Sequence, residues 1–200
     1  MSATQLEPLP VAYLPGASGR ASVWQAIATR LAARRPPVFC DYPNARFAEL
    51  VRRVSEALPE RFDVVSLSVG AAVALRLALE HPDRVHRLVL VTAAAGLDVQ
   101  RLGGLDFAGA FRRQHPEVPA WFREAEADSS ARLGEINAKT LLVFGEGDLV
   151  APVAVGHFLR ERLPDARLEL VAHATHDLER EHPDLLASLI EAHLRRPALT

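Results

Sequence analysis

The sequence predicts an α/β domain, a mostly parallel sheet wrapped by helices on both faces. Six short runs rich in Val, Leu and Phe recur along the chain, mostly without strict polar alternation, as strands buried on both faces do. Longer stretches between them space their apolar residues three and four apart, as with Val23, Ile27 and Leu31. Strand followed by helix, repeated, closes into a parallel sheet because each right-handed crossover lays its helix back over the strands. The length of 200 residues, with 49% hydrophobic and 24% charged side chains, suits one domain around one core, spanning 1–200.

The strands are expected at Val11-Ala-Tyr-Leu14, Pro37-Val-Phe-Cys40, Asp63-Val-Val-Ser-Leu67, Leu88-Val-Leu-Val91, Leu141-Leu-Val-Phe144 and Arg167-Leu-Glu-Leu-Val171. Prolines punctuate the helices between them. Pro36 and Pro37 stop the first, Pro59 the second, His81-Pro82 the third, and Leu163-Pro164 the one after the fifth strand. The interval between the fourth and fifth strands is longer than a crossover needs, so residues 97–138 are expected as an insertion, a small lid over the strand C-termini.

Composition narrows the function classes. The 23 basic and 25 acidic residues leave a formal charge of −2 and are interspersed, which argues against nucleic acid as a partner. The longest apolar stretches, 69–79 and 88–97, are broken by Arg76 or bounded by Arg87 and Asp98, too short for a membrane span. One cysteine, Cys40, allows no intramolecular disulfide, and the start MSATQLEPLP shows no secretory pattern, so a cytoplasmic location is expected.

The chemistry concentrates where the third strand runs into an Ala-rich helix through Ser66-Leu67-Ser68-Val69-Gly70. A tight strand-to-helix turn projects the hydroxyl of its central serine into solvent, and it requires small residues two before and two after. Ser66 and Gly70 meet that requirement. A nucleophilic serine needs a base, and the base a third group to fix its tautomer. Asp148 lies in Gly145-Glu-Gly-Asp148, just past the fifth strand, and His173 and His176 lie in the loop after the sixth. Both loops fall at the same sheet edge as Ser68. The six other histidines, His81, His86, His115, His157, His182 and His193, are expected at helix ends or on surfaces. His173 and His176 lack the cysteine or carboxylate cluster that would complete a metal site. Gly16-x-x-Gly19 follows a strand, but the full dinucleotide fingerprint is absent, so no NAD and no other cofactor is expected.

These residues resemble the α/β-hydrolase superfamily from Val11 to Leu194. The resemblance rests on the Ser68 elbow followed by Gly70-Ala-Ala-Val-Ala-Leu, on Glu80-His-Pro-Asp-Arg-Val-His-Arg-Leu-Val-Leu-Val91, on Gly145-Glu-Gly-Asp148, and on His176 with Glu181-His-Pro-Asp184 behind it. It implies Ser68 as nucleophile, Asp148 as orienting acid and His176 as general base, with Asp98 and His173 as rivals for the last two roles. Val69, the residue after the nucleophile, offers one oxyanion N–H. Ala17, in the Leu14-Pro-Gly-Ala-Ser-Gly19 loop, matches the family's second donor, with Ser18 as its neighbouring alternative. Asp41 resembles the Asp that the family carries after its second strand.

The chain departs from the family at Pro15, at Ser66 in place of the usual Gly, at Asp41-Tyr-Pro-Asn44, and in lacking room for the first two strands of the full fold. The expectation is a minimal α/β-hydrolase fold of about six strands, in the order second, first, third, fourth, fifth, sixth. The implied function is a serine hydrolase of the carboxylesterase or thioesterase type, cleaving an ester or thioester through an acyl-serine intermediate. Its partner would be a small-molecule acyl substrate, acting on a monomer or homodimer. The alternatives are a non-catalytic ligand-binding protein on the same fold, or an acyltransferase or perhydrolase using the same triad.

Overall fold

In the computed structural model, residues 8–31, 35–125 and 127–195 are described. One sheet holds β1 (Val11–Leu14), β2 (Pro37–Phe39), β3 (Phe62–Leu67), β4 (Val85–Val91), β5 (Lys139–Gly145) and β6 (Ala166–Val171). The strand order is β2-β1-β3-β4-β5-β6. Every neighbouring pair is parallel. The order is the expected one, and the strand C-termini all lie along one edge.

Successive side chains of a strand point to opposite faces, and here both faces are covered. Ala12, Leu14, Val64, Leu88, Leu90, Leu142 and Phe144 join one core. Val11, Tyr13, Val65, Val89, Val91, Leu141 and Val143 join the other. The first face lies under α2 (Phe47–Ala57), α3 (Gly70–Glu80) and α6 (Val153–Arg162). The second lies under α1 (Gln25–Leu31) and α8 (Pro183–Arg195). The central strands are almost wholly buried, while β2 and β6, at the edges, stay half-exposed, since among the described residues no strand pairs with their outer sides. β4 starts at Val85 and so takes in His86 and Arg87, which its apolar pattern concealed.

Between β4 and β5 the chain forms a 3₁₀ turn (Gln100–Leu102), α4 (Phe107–Gln114), α5 (Ala120–Glu124) and a second 3₁₀ turn (Ser130–Glu135). This segment is fastened at two places. Glu124 accepts from the Phe47 N–H (2.8 Å) and from Arg46 Nε (2.9 Å), satisfying a free N–H at the start of α2, and those hydrogen bonds hold its carboxyl below the usual range. Across the molecule, the Leu105 N–H donates to the Leu149 carbonyl (2.9 Å). A short α7 (Leu178–Glu181) precedes α8. No helix among the described residues is long and apolar enough to cross a membrane.

At the opposite edge, where β3 begins, Asp63 is fully buried. Arg35 Nη1 lies 2.7 Å and His86 Nδ1 3.1 Å from its two oxygens, and Arg35 Nη2 donates to the Leu194 carbonyl at 2.5 Å. His86 therefore lies part-exposed in a strand beside the Asp63 carboxylate, a place the sequence did not suggest. His193 sits in the last turn of α8, at a helix end as expected but buried, with Nε2 3.1 Å from the Lys139 carbonyl. Removing one partner of a buried pair strands the other charge. Arg35→Ala is expected to cost about 3 kcal/mol in urea unfolding, with part of the loss recovered in the Arg35→Ala/Asp63→Asn double variant.

Candidate active site

The site begins at the end of β3. Ser68 sits at φ +51°, a left-handed conformation that side chains with a Cβ rarely adopt, and α3 starts two residues later. The strain is held from several sides. The Ser68 N–H donates to the Val91 carbonyl (2.9 Å), while its own carbonyl accepts from Ala71 (3.0 Å) and Ala94 (3.2 Å). At Gly70, a Cβ would lie 2.3 Å from the Pro15 carbonyl oxygen, so only glycine lets the β1 loop approach the elbow. Ser66 stays in register between Leu14 and Leu90, and its hydroxyl donates to the Val89 carbonyl at 3.2 Å. The family's missing glycine is thus accommodated by a neighbouring strand that accepts the extra hydroxyl.

The acid loop follows β5. Here too a glycine sets the spacing, since a Cβ at Gly145 would lie 2.3 Å from the Ala174 carbonyl. The Gly147 N–H donates to that same carbonyl at 2.9 Å, so the loops after β5 and β6 meet backbone to backbone. Asp148 is almost fully buried. Its Oδ1 accepts from the N–H groups of Val150 (2.8 Å) and Ala151 (2.9 Å), leaving Oδ2 2.8 Å from His176 Nδ1. His176 Nε2 lies 2.8 Å from Ser68 Oγ. A carboxylate only accepts, so the imidazole carries its proton on Nδ1 and presents a lone pair at Nε2 to the serine hydroxyl.

The rivals stand elsewhere. Asp98 is exposed, and its Oδ1 accepts from the Arg101 N–H (3.1 Å) in a local turn. His173 is exposed on a turn at φ +61°. The base loop has a brace that sequence reasoning did not assign: Glu181 accepts from both the N–H and the hydroxyl of Thr175, each at 2.7 Å, and these bonds hold its carboxyl below the usual range. Its signal was a Thr just before the histidine with a Glu six residues on. The lone thiol, Cys40, is no rival nucleophile at neutral pH, because burial, with the nearby Asp41 charge, pushes it up to about 12.

A family model described as alpha/beta hydrolase fold matches residues 16–124, just over half of the chain. The chain belongs to the α/β-hydrolase family. The pimeloyl-[acyl-carrier protein] methyl ester esterase of Nitrosomonas europaea is 24% identical, over 72% of this chain and 75% of that protein. Among solved structures, a hydrolase from Pseudomonas aeruginosa PA01 superposes with a TM-score of 0.79 at 20% identity, covering 98% of this chain and 92% of its own. The enol-lactonase from Burkholderia xenovorans LB400 does so with a TM-score of 0.76 at 17% identity, covering 98% and 94%. At such identities the structural likeness concerns the fold, while the names of these relatives set this α/β hydrolase among enzymes.

Around Ser68, the hydrolase presents two segments. Val69 is buried at the head of α3. The β1 loop lies against the elbow, a Cβ at Gly16 falling 3.4 Å from Ser68 Cβ, and Ala17 follows, partly buried. Ser18 Oγ accepts from the Arg20 N–H (3.3 Å), and Asp41 Oδ1 accepts from the Ala21 N–H (2.7 Å), where the chain turns into its first helix. Beside the elbow is a cavity of about 290 Å³ whose wall includes Val69, Val99, Leu105, Phe107, Phe122 and Val150. The Phe107 ring also faces the His176 ring, centroids 6.3 Å apart. Among the aromatics of the insertion, Trp121 and Phe122 are both buried in the core, Phe122 also bordering the cavity together with the partly buried Phe107.

The positive φ has a measurable consequence. Ser68→Ala and Ser68→Gly both lose the hydroxyl, but only alanine retains the Cβ that this conformation penalises. Ser68→Gly is expected to be the more stable of the two by about 1 kcal/mol, read as a higher calorimetric melting temperature.

Proposed function

We propose that the protein is a serine hydrolase that cleaves esters or thioesters of small acyl substrates through an acyl-Ser68 intermediate. The observation that carries this reading is the unbroken chain of contacts from Ser68 Oγ through His176 to Asp148, 2.8 Å at each step. In the first half-reaction, Ser68 Oγ attacks the carbonyl carbon as its proton passes to His176 Nε2, and Asp148 holds the imidazolium that forms. The carbonyl oxygen becomes an oxyanion, for which the N–H groups of Val69 and Ala17 are the assigned donors. His176 then gives its proton to the departing alcohol or thiol. In the second half-reaction, a water gives a proton to His176 Nε2 as it attacks the acyl-serine carbonyl; the acyl–Oγ bond then breaks, His176 returns the proton to Ser68 Oγ, and the acid departs. The proton transfers of both halves use the Ser68–His176–Asp148 contacts described above.

The esterase and enol-lactonase names of the relatives suit ester substrates. In this reading the chain is one domain, and residues 97–138 form its cap. The cavity wall is mixed: Val69, Val99, Leu105, Phe107, Phe122 and Val150 offer an apolar side to an acyl chain, while Asp98, Gln100 and Asp128 make the remainder polar.

A fluorophosphonate probe is expected to label Ser68 and to fail on Ser68→Ala; a native protein that resists labelling favours ligand binding without turnover. His176→Ala should abolish hydrolysis of p-nitrophenyl esters while His173→Ala retains most of it, and the reverse would move the base to His173. Asp148→Asn should lower kcat about 10⁴-fold, as the carboxamide forces the wrong tautomer, whereas Asp98→Asn should stay near the parent value.

A further inference from the structure

From the apolar mouth of the cavity we infer the acyl class: Leu105 and Leu149 form a rim that extends the acyl site and selects medium-length chains, hexanoyl to decanoyl, over acetyl. This rests on the hydrolase reading above.

The two leucines are the most exposed large apolar side chains among the described residues, at 58% and 69%. Single exposed leucines are ordinary, but these two sit on different segments drawn together by one hydrogen bond, from the Leu105 N–H to the Leu149 carbonyl at 2.9 Å. They are also continuous with the site. Leu105 lines the cavity, Val150 beside Leu149 lines it too, and Leu149 directly follows Asp148. The corner is rigid: a Cβ at Gly104 would lie 2.5 Å from the Val150 carbonyl and 2.6 Å from Val99 Cγ1, so the insertion and the acid loop are packed as closely as glycine permits.

Elsewhere the cavity is less hospitable to methylenes. Its wall there includes Asp98 and Asp128, which also border a second cavity of about 360 Å³ carrying Arg101 and Arg162. A methylene chain that ran that way would strip water from four charges without replacing it. A chain leaving the elbow past Phe107 meets Leu105 in the cavity wall and, on the segment hydrogen-bonded to it, Leu149. Against these two open apolar side chains each methylene loses part of its water, short of the roughly fourfold gain of full burial.

The test is the ratio of kcat/KM for p-nitrophenyl octanoate to that for p-nitrophenyl acetate, measured on the full chain and on Leu105→Ser, Leu149→Ser and the double variant. Both positions are exposed, so folding is expected to survive, and the ratio normalises any general loss of activity. The ratio should fall about tenfold in the double variant, mainly through KM for the octanoate. A ratio that holds in all three variants overturns the inference, including when the variants change the oligomeric state, which would give the leucines to a second copy of the chain. Failure of the parent protein to cleave either ester instead removes the hydrolase reading on which this depends.

Discussion

Asp148 divides its two oxygens between two tasks, and the site depends on that division. One oxygen is anchored by two backbone N–H groups of its own loop, so the carboxylate cannot rotate, and the other is left to face the imidazole. Without the anchor, a carboxylate would sample several rotamers and the histidine would lose its fixed partner. Without the histidine, the elbow would present an ordinary alcohol. The geometry is held by backbone, at Gly145 against Ala174 and at Gly70 against Pro15, where no larger residue would let the loops approach.

How much of this was readable from the residues depended on the physics behind each feature. The central strands were legible because burial on both faces leaves an apolar run, and their order was the one implied by the resemblance to the α/β-hydrolase superfamily. The edge strands carry similar runs yet remain half-exposed, since a local pattern does not say which strand lacks a neighbour. His86 and Arg87 hid the start of β4, since two polar side chains break an apolar run and the His86 partner, Asp63, lies on another strand.

Ser68 and His176, 108 residues apart, were paired through motif phrasing. No periodicity links them. Asp148 over Asp98 was a choice between two loops that only side-chain partners could separate: one carboxylate is buried beside the imidazole, the other exposed in its own turn. Phe107 lines the cavity and Trp121 lies in the core because of what folds over each, which no local apolar pattern states.

The open edges of the sheet carry a further consequence. An unpaired strand is a template on which another chain can add hydrogen bonds, and among the described residues this sheet has one at each side. On β2 the template is spoiled at the outset, because Pro36 and Pro37 contribute no N–H. On β6, Arg167 and Glu169 form an ion pair at 3.1 Å, so an incoming strand would have to bring its side chains against charges. Both borders thus discourage fibrous growth even though each edge strand exposes one large apolar side chain, Phe39 on β2 and Leu170 on β6.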